Sequence, residues 1–171
     1  CCHLAIEFEE AADALSRVHD AGIRLSKLHL SSALKFPPTP ENIERLRGFD
    51  EPVYFHQVVM HDGQDLLRRF RDIPAALAYA GSQPHALGDE WRVHFHVPLH
   101  ASPSGGFGDT RDHTLDALDW LAKQPAACQH LEMETYTWEV LPENLRSADV
   151  ADQLCAEYEW TLNAMRQRGL A

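Results

Sequence analysis

Residues Trp91-Arg92-Val93-His94-Phe95-His96-Val97-Pro98-Leu99-His100 decide how this chain is read. Apolar Val93, Phe95 and Val97 alternate with His94 and His96, and Pro98 closes the run. Period-two alternation over this length predicts a β-strand. Successive strand side chains point to opposite faces, so the three apolar residues share one face and the two imidazoles the other. A solvated strand face ordinarily carries Lys, Thr or Glu. Two histidines in phase, in a chain with 11 of them, predict instead a face that lines a polar site, and raise the question of whether that site is a metal centre.

Working outward, strand-like and helix-like segments alternate. Cys1-Cys2-His3-Leu4 reads as the tail of a strand. Residues 7–20 read as a helix, with Phe8, Ala11, Ala12, Leu15 and Val18 near three-to-four spacing and Ala21-Gly22 as its stop. Residues 23–31 form a second strand candidate, and Thr39-Pro40-Glu41 opens a short helix running through Arg47. Residues 53–60 are rich in β-branched and aromatic types and predict a third strand. After the His61-Asp62-Gly63 turn, residues 65–80 read as a helix that restarts at Asp72-Ile73-Pro74. Segments 81–90 and 101–109 are loops. Residues 110–124 predict an amphipathic helix stopped by Pro125, and residues 129–138 a last strand. Pro142-Glu143-Asn144-Leu145 begins a loop or short helix. Residues 148–168 read as a terminal helix whose apolar stripe is Val150, Leu154, Tyr158, Leu162 and Met165.

Strand followed by helix, repeated about four times, implies βα units and a parallel sheet. The glycines Gly105, Gly106 and Gly108 fit neither G-x-G-x-x-G nor G-x-x-x-x-G-K-[ST], so no nucleotide-binding fold is supported. The expected class is α/β: the C-terminal half of a (β/α)8 TIM barrel, about four βα units with residues 53–60 as an inserted strand, in one domain over residues 1–171. An open α/β sheet is the alternative. The chain begins at Cys1, without Met and inside an apolar run, and is therefore expected to be a fragment of a longer protein.

Composition narrows the partners. A hydrophobic content of 44% and a charged content of 24% are ordinary for a globular chain. The net charge of −11 argues against nucleic acid and against an anionic membrane surface. No apolar run reaches the ~18–20 residues of a membrane span, so no membrane insertion is expected. Cys1, Cys2, Cys128 and Cys155 lack CxxC spacing or a disulfide framework, which predicts a reducing, cytoplasmic setting.

The polar residues on or just after the strands are His3, Lys27, His29, His56, His94, His96, Glu132 and Glu134. In a (β/α)8 barrel the C-terminal strand ends converge on one site. Histidine and carboxylate together suit Zn²⁺, Mn²⁺, Co²⁺ or Fe²⁺. Glu132 and Glu134 share a strand face, with Tyr136 following in phase. Carboxylates turned into a barrel cost several kcal/mol unless paired or metal-bound, whereas on an edge strand they are merely solvated. Lys27 can serve as a catalytic amine or phosphate partner, or simply as the ion-pair partner of a nearby carboxylate. His29 and His56, taken singly, read as hydrogen-bonded structural residues. His19, His61, His85, His100, His113 and His130 read as surface residues. Cys2 beside His3 makes no nucleophilic dyad, and there is no G-x-S-x-G elbow.

Cys2-His3 before an acidic helix start is similar to the D-x-x-H strand-end motif of the xylose-isomerase-like (AP-endonuclease-2-like) TIM barrels. More closely, CHLAIEFE (2–9), KLHLSSAL (27–34), FHQVV (55–59), WRVHFHVPL (91–99) and LEMETYTWEVLP (131–142) resemble, in that order, the EboE family of metabolite-traffic proteins in that superfamily. The resemblance covers essentially the whole chain. It implies a divalent metal ion (Mn, Zn, Co or Mg) at the C-terminal strand ends. His3 matches the histidine of D-x-x-H, and His29 or His96 the strand histidine that follows it. Glu134 matches the last-strand glutamate that binds metal and, in the sugar epimerases, moves a proton. The motif's aspartate would fall before Cys1, and the extra strand leaves the equivalence of His29 and His96 open. Within its strand His96, nearer the C-terminal end, is favoured over His94 as the ligand.

The implied function is a metal-dependent isomerase or epimerase acting on a sugar or sugar phosphate, or a similar small polyhydroxylated metabolite. Its ligands would be His3, His29, His96 and Glu134; Glu134 would be catalytic, assisted by Glu132 and Lys27. A metal-dependent hydrolase, or a non-catalytic metabolite-binding or scaffold protein of an export pathway, are the alternatives. The open edges of a half barrel also predict a homo-oligomer.

Overall fold

The structure, a computed structural model, describes residues 1–64, 66–134, 138–141, 146 and 149–171. Its helices are α1 (Cys2–Ile6), α2 (Ala11–Asp20), α3 (Pro40–Leu46), α4 (Ile73–Ser82), α5 (Arg111–Lys123) and α6 (Val150–Arg166). Its strands are β1 (Leu28–Leu30), β2 (Ser32–Phe36), β3 (Val58–His61), β4 (Leu67–Phe70), β5 (Glu90–Val97), β6 (Gly108–Asp109) and β7 (Leu131–Met133). Five strands form one sheet in the order β4-β3-β5-β2-β6, and β1 pairs with β7 in a second.

The chain is mixed α/β, as expected, but its main sheet is antiparallel at every pairing. Only β1 and β7 run parallel, with His29 opposite Glu132. The described residues form no closed barrel. The expected parallel sheet of βα units is thus corrected. Alternation of strands and helices along a chain does not set strand direction, and the clean two-residue alternation of β5 is itself typical of antiparallel sheets. Fully buried parallel strands read as continuous apolar runs instead.

β5 occupies the centre, and its two faces divide the molecule. Trp91, Val93, Phe95 and Val97 enter an aromatic-rich core with Phe36, Phe49, Ile73 and Leu77, under α3 and α4. Phe95 meets Phe49 edge to face, with centroids 4.9 Å apart. On the opposite face α1 packs through Cys2 and Ile6 against Ala33 and Val59. α2 and α5 close over β1 through Leu15, Ala117, Trp120 and Leu121. α6 covers Leu30, Leu99 and Leu118.

Local signals place several boundaries. Thr39 caps α3 by accepting from the Asn42 N–H at 3.2 Å, with Pro40 in the first turn. Asp72 caps α4 by accepting from the Ile73 N–H at 2.9 Å. The helix expected over residues 65–80 begins only there. Residues 67–70 are instead β4, joined to β3 by a turn in which Gly63 has φ +78° and Asp62 Oδ1 accepts from the N–H groups of Gln64 and Leu66. That turn chemistry outweighs the helical spacing.

Residues 1–4 are not a strand tail: Cys2, Ala5 and Ile6 share one face of a helix turn and are buried together, leaving His3 outside. Of the expected third strand, residues 53–55 are exposed and only Val58–His61 pairs. In α6 most of the expected apolar stripe is turned outward, while Met165 packs partly buried against the Leu30–Leu99–Leu118 cluster. Val150, Leu154, Tyr158 and Leu162 are exposed, whereas Gln153, Glu157, Thr161 and Ala164 are buried. Tyr136, residues 142–145 and Ala148 lie outside the described residues. No helix among the described residues is long and apolar enough to cross a membrane.

Candidate metal centre

Two local features bring a cluster together on the histidine face of β5. The first is α1, which lays Cys2 against that face. Cys2 is fully buried, and its N–H donates to Ser31 Oγ at 3.3 Å. The second is an irregularity between β2 and β5. Ala33 pairs with His96 while the next residue, Leu34, pairs with Val93, so His94 and Phe95 have no partner on β2. Such bulges bend a strand and re-aim its side chains. The His94 N–H turns to the carbonyl of Gln57 at 2.8 Å.

The rings of His94 and His96 consequently face each other, Nε2 to Nε2 at 3.0 Å. Cys2 Sγ lies 3.4 Å from His96 Nε2. One ligand atom from each of Cys2, His94 and His96 falls within 4.8 Å of the others, and this trio can hold a metal ion. Nδ1 of His96 is 3.3 Å from the carbonyl oxygen of Glu134. A carbonyl can only accept, so Nδ1 carries the ring proton and Nε2 presents its lone pair to Cys2 and His94.

Burial sets the protonation of the cluster. It is the main cause that pushes His94 down to about 4, with His96 and His3 adding to it. Burial likewise pushes His96 down to about 4. The Cys2 thiol is pushed up, again chiefly by burial. At neutral pH the cluster is two uncharged imidazoles and a thiol.

The residues predicted from sequence fall into two groups around this trio. His96 belongs to it. His3 is exposed and borders it, its ring 4.5 Å centroid to centroid from His94. Glu134, His29, Glu132 and Lys27 form a line along the β1–β7 pair, behind His96. Glu134 Oε2 lies 3.8 Å from Nδ1 of His96 and 3.8 Å from Nδ1 of His29. That oxygen is buried and has no hydrogen-bond partner among the described residues. His29 Nε2 is 3.6 Å from Glu132 Oε2, and Lys27 Nζ donates to the same oxygen at 2.7 Å. Lys27 holds the Glu132 carboxyl below its ordinary range.

The other histidines do different work. His56 is buried and its ring stacks on Phe95, while its backbone N–H donates to Asp72 Oδ1. His113, expected at the surface, is buried and bonds through Nε2 to the Glu9 carbonyl. Sequence reasoning missed Cys2 and ranked His94 behind His96. Cys2 was discoverable only from its helical spacing to Ala5 and Ile6, which a strand reading of residues 1–4 hides. No protein-family model, curated protein or solved structure matches this chain.

Proposed function

We propose that this chain is a divalent-metal-dependent isomerase or epimerase of the xylose-isomerase-like kind, acting on a small, sugar-like, polyhydroxylated metabolite. Cys2, His94 and His96 would hold the ion. The observation that carries the reading is Glu134: a buried carboxylate oxygen with no hydrogen-bond partner among the described residues, 3.8 Å from each of two imidazoles and next to a three-donor cluster. An unsatisfied carboxylate oxygen is costly to bury and is characteristic of functional positions.

The donor set fits a metal, because uncharged imidazoles and a deprotonatable thiol are the ligands such an ion takes. An ion held by them would supply polarisation of a carbonyl or hydroxyl oxygen, which would acidify the adjoining C–H. Glu134 Oε2, uncommitted to any hydrogen bond among the described residues and on the far side of the His96 ring, would receive that proton by way of His29, whose Nδ1 is 3.8 Å away, and return it. His29, between the Glu134 and Glu132 carboxylates, connects it to the solvent side. Lys27 holds the Glu132 carboxyl below its ordinary range there. The ordered resemblance of five segments to EboE-type chains supports this reading. A reducing cytoplasm suits the unpaired Cys2.

The test is isotope exchange. The protein, supplied with Zn²⁺, Mn²⁺ or Co²⁺, is incubated in deuterated water with a panel of aldoses, ketoses and their phosphates. Deuterium should enter at the carbon beside the carbonyl, and Glu134→Gln should abolish this. No incorporation into any sugar rejects the reading, and release of phosphate without exchange favours a hydrolase.

A further inference from the structure

We propose that the ion is zinc, held by the thiolate of Cys2 and the Nε2 atoms of His94 and His96, with the fourth position open and Glu134 outside the coordination set. The inference rests on the metal centre of the proposed function and names its ion and ligands. It does not depend on the isomerase reaction.

Three observations carry it. The first is spacing. Zinc binds imidazole nitrogen at about 2.0–2.1 Å and thiolate sulfur at about 2.3 Å, and a tetrahedron with those bonds separates N from N by about 3.3 Å and S from N by about 3.6 Å. In the cluster those separations are 3.0 Å and 3.4 Å. Two of the three separations are thus close to what zinc requires, and the third, between Cys2 and His94, lies within 4.8 Å.

The second is the direction of the His96 ring. Its Nε2 edge faces Cys2 and His94, and its Nδ1 edge faces the carbonyl and carboxylate of Glu134. The two nitrogens lie on opposite edges of an imidazole, so a metal on Nε2 has the ring between itself and Glu134. The Glu134 carbonyl plays the outer role seen at most metal-bound histidines, where the second ring nitrogen donates to an oxygen and fixes the tautomer.

The third is the chemistry of the set. One sulfur and two imidazole nitrogens are soft-to-borderline donors that favour Zn²⁺. Mg²⁺ and Mn²⁺ prefer oxygen ligands. No fourth histidine, cysteine or carboxylate atom joins the trio among the described residues. Three protein ligands and an open position are the pattern of catalytic rather than structural zinc. His3 is exposed, with its ring 4.5 Å centroid to centroid from that of His94.

The experiment is metal substitution on the 171-residue chain. Desalted after exposure to equal Zn²⁺, Mn²⁺ and Mg²⁺, the protein should retain zinc alone. Exchange of the zinc for Co²⁺ should give a thiolate-to-cobalt charge-transfer band in the near ultraviolet and tetrahedral bands in the visible. Cys2→Ser should remove the charge-transfer band. Should Cys2→Ser fail to fold by circular dichroism, His94→Gln, at a half-buried position, should keep the band and weaken zinc by more than about tenfold. Glu134→Gln should keep zinc and band together. Preference for Mn²⁺ or Mg²⁺, a cobalt form without the band, or loss of the ion from Glu134→Gln would overturn the assignment. A zinc form with the band that exchanges no deuterium into any sugar keeps the site and rejects the reaction.

Discussion

Nδ1 of His96 lies 3.3 Å from the carbonyl oxygen of Glu134, so a ring on the central strand of one sheet is oriented by the residue just past the last strand of the other. Glu134 is itself held in place, its N–H donating to the Leu30 carbonyl at 3.4 Å. The contact ties the antiparallel sheet to the parallel pair and selects which nitrogen of His96 faces the cluster.

Removing His96 should therefore cost more than removing His94, even with no metal present. His96 is 2% exposed, and His96→Ala leaves a void and removes the donor that the Glu134 carbonyl has among the described residues. A loss of about 1–3 kcal/mol is expected for the orphaned group alone. Urea denaturation in the presence of a chelator should show the larger midpoint shift for His96→Ala. Equal shifts for the two variants would contradict this role.

The same burial predicts an acid-sensitive fold. His94 and His96 ionise near 6.5 when unfolded and at about 4 when folded. Between those values the unfolded chain binds more protons, so stability rises with pH. The contribution is complete above about 6.5 and is lost as pH falls towards 4. For His96 the full difference is on the order of 3 kcal/mol. The urea midpoint should be lower at pH 5 than at pH 7, and His96→Gln should flatten that slope. A wild-type midpoint unchanged over this range would refute the prediction.

Lys27 and Glu132 form an exposed pair, with side chains 48% and 51% accessible. Such pairs add little to folding, so Lys27→Met should leave the melting temperature unchanged. It should instead let the Glu132 carboxyl rise towards its ordinary range, because Lys27 is the main cause of its depression. Carboxyl-selective NMR titration reads this directly. If the proposed proton line operates, turnover in Lys27→Met falls while zinc content stays the same.

Helix α6 supplies a contrast between its two faces. Glu157 is buried and accepts from the Leu99 N–H at 2.8 Å. Glu157→Ala leaves that buried N–H unpaired and should cost about 1–3 kcal/mol. Leu154→Ser, on the exposed stripe, should change stability by less than about 0.5 kcal/mol. Thermal melts of the two variants check the order, and a larger loss from Leu154→Ser would reverse the orientation of the helix.

Much of the local structure was legible in the sequence alone. The alternation in residues 91–97 specified β5, which face it buries and which face carries both histidines. Thr39-Pro40, Asp72 and Pro125 marked helix boundaries, and the Lys27 ion pair with a nearby carboxylate is present. These depend on neighbours within a turn or a strand, where spacing and capping chemistry act directly. Tertiary structure decided the rest. Strand direction depends on how distant segments meet, so the antiparallel sheet was not written in the order of its elements. α6 faces inward with Gln153, Glu157 and Thr161 in spite of its apolar stripe, a choice that pairs the buried Leu99 N–H with Glu157. Cys2 reaches His96, 94 positions away, only because α1 folds as a helix onto β5 and the strand bulges at His94. Within Trp91–Val97 the sequence determined which histidines share a face; their tautomer, their burial and the sulfur beside them came from contacts between residues far apart in the chain.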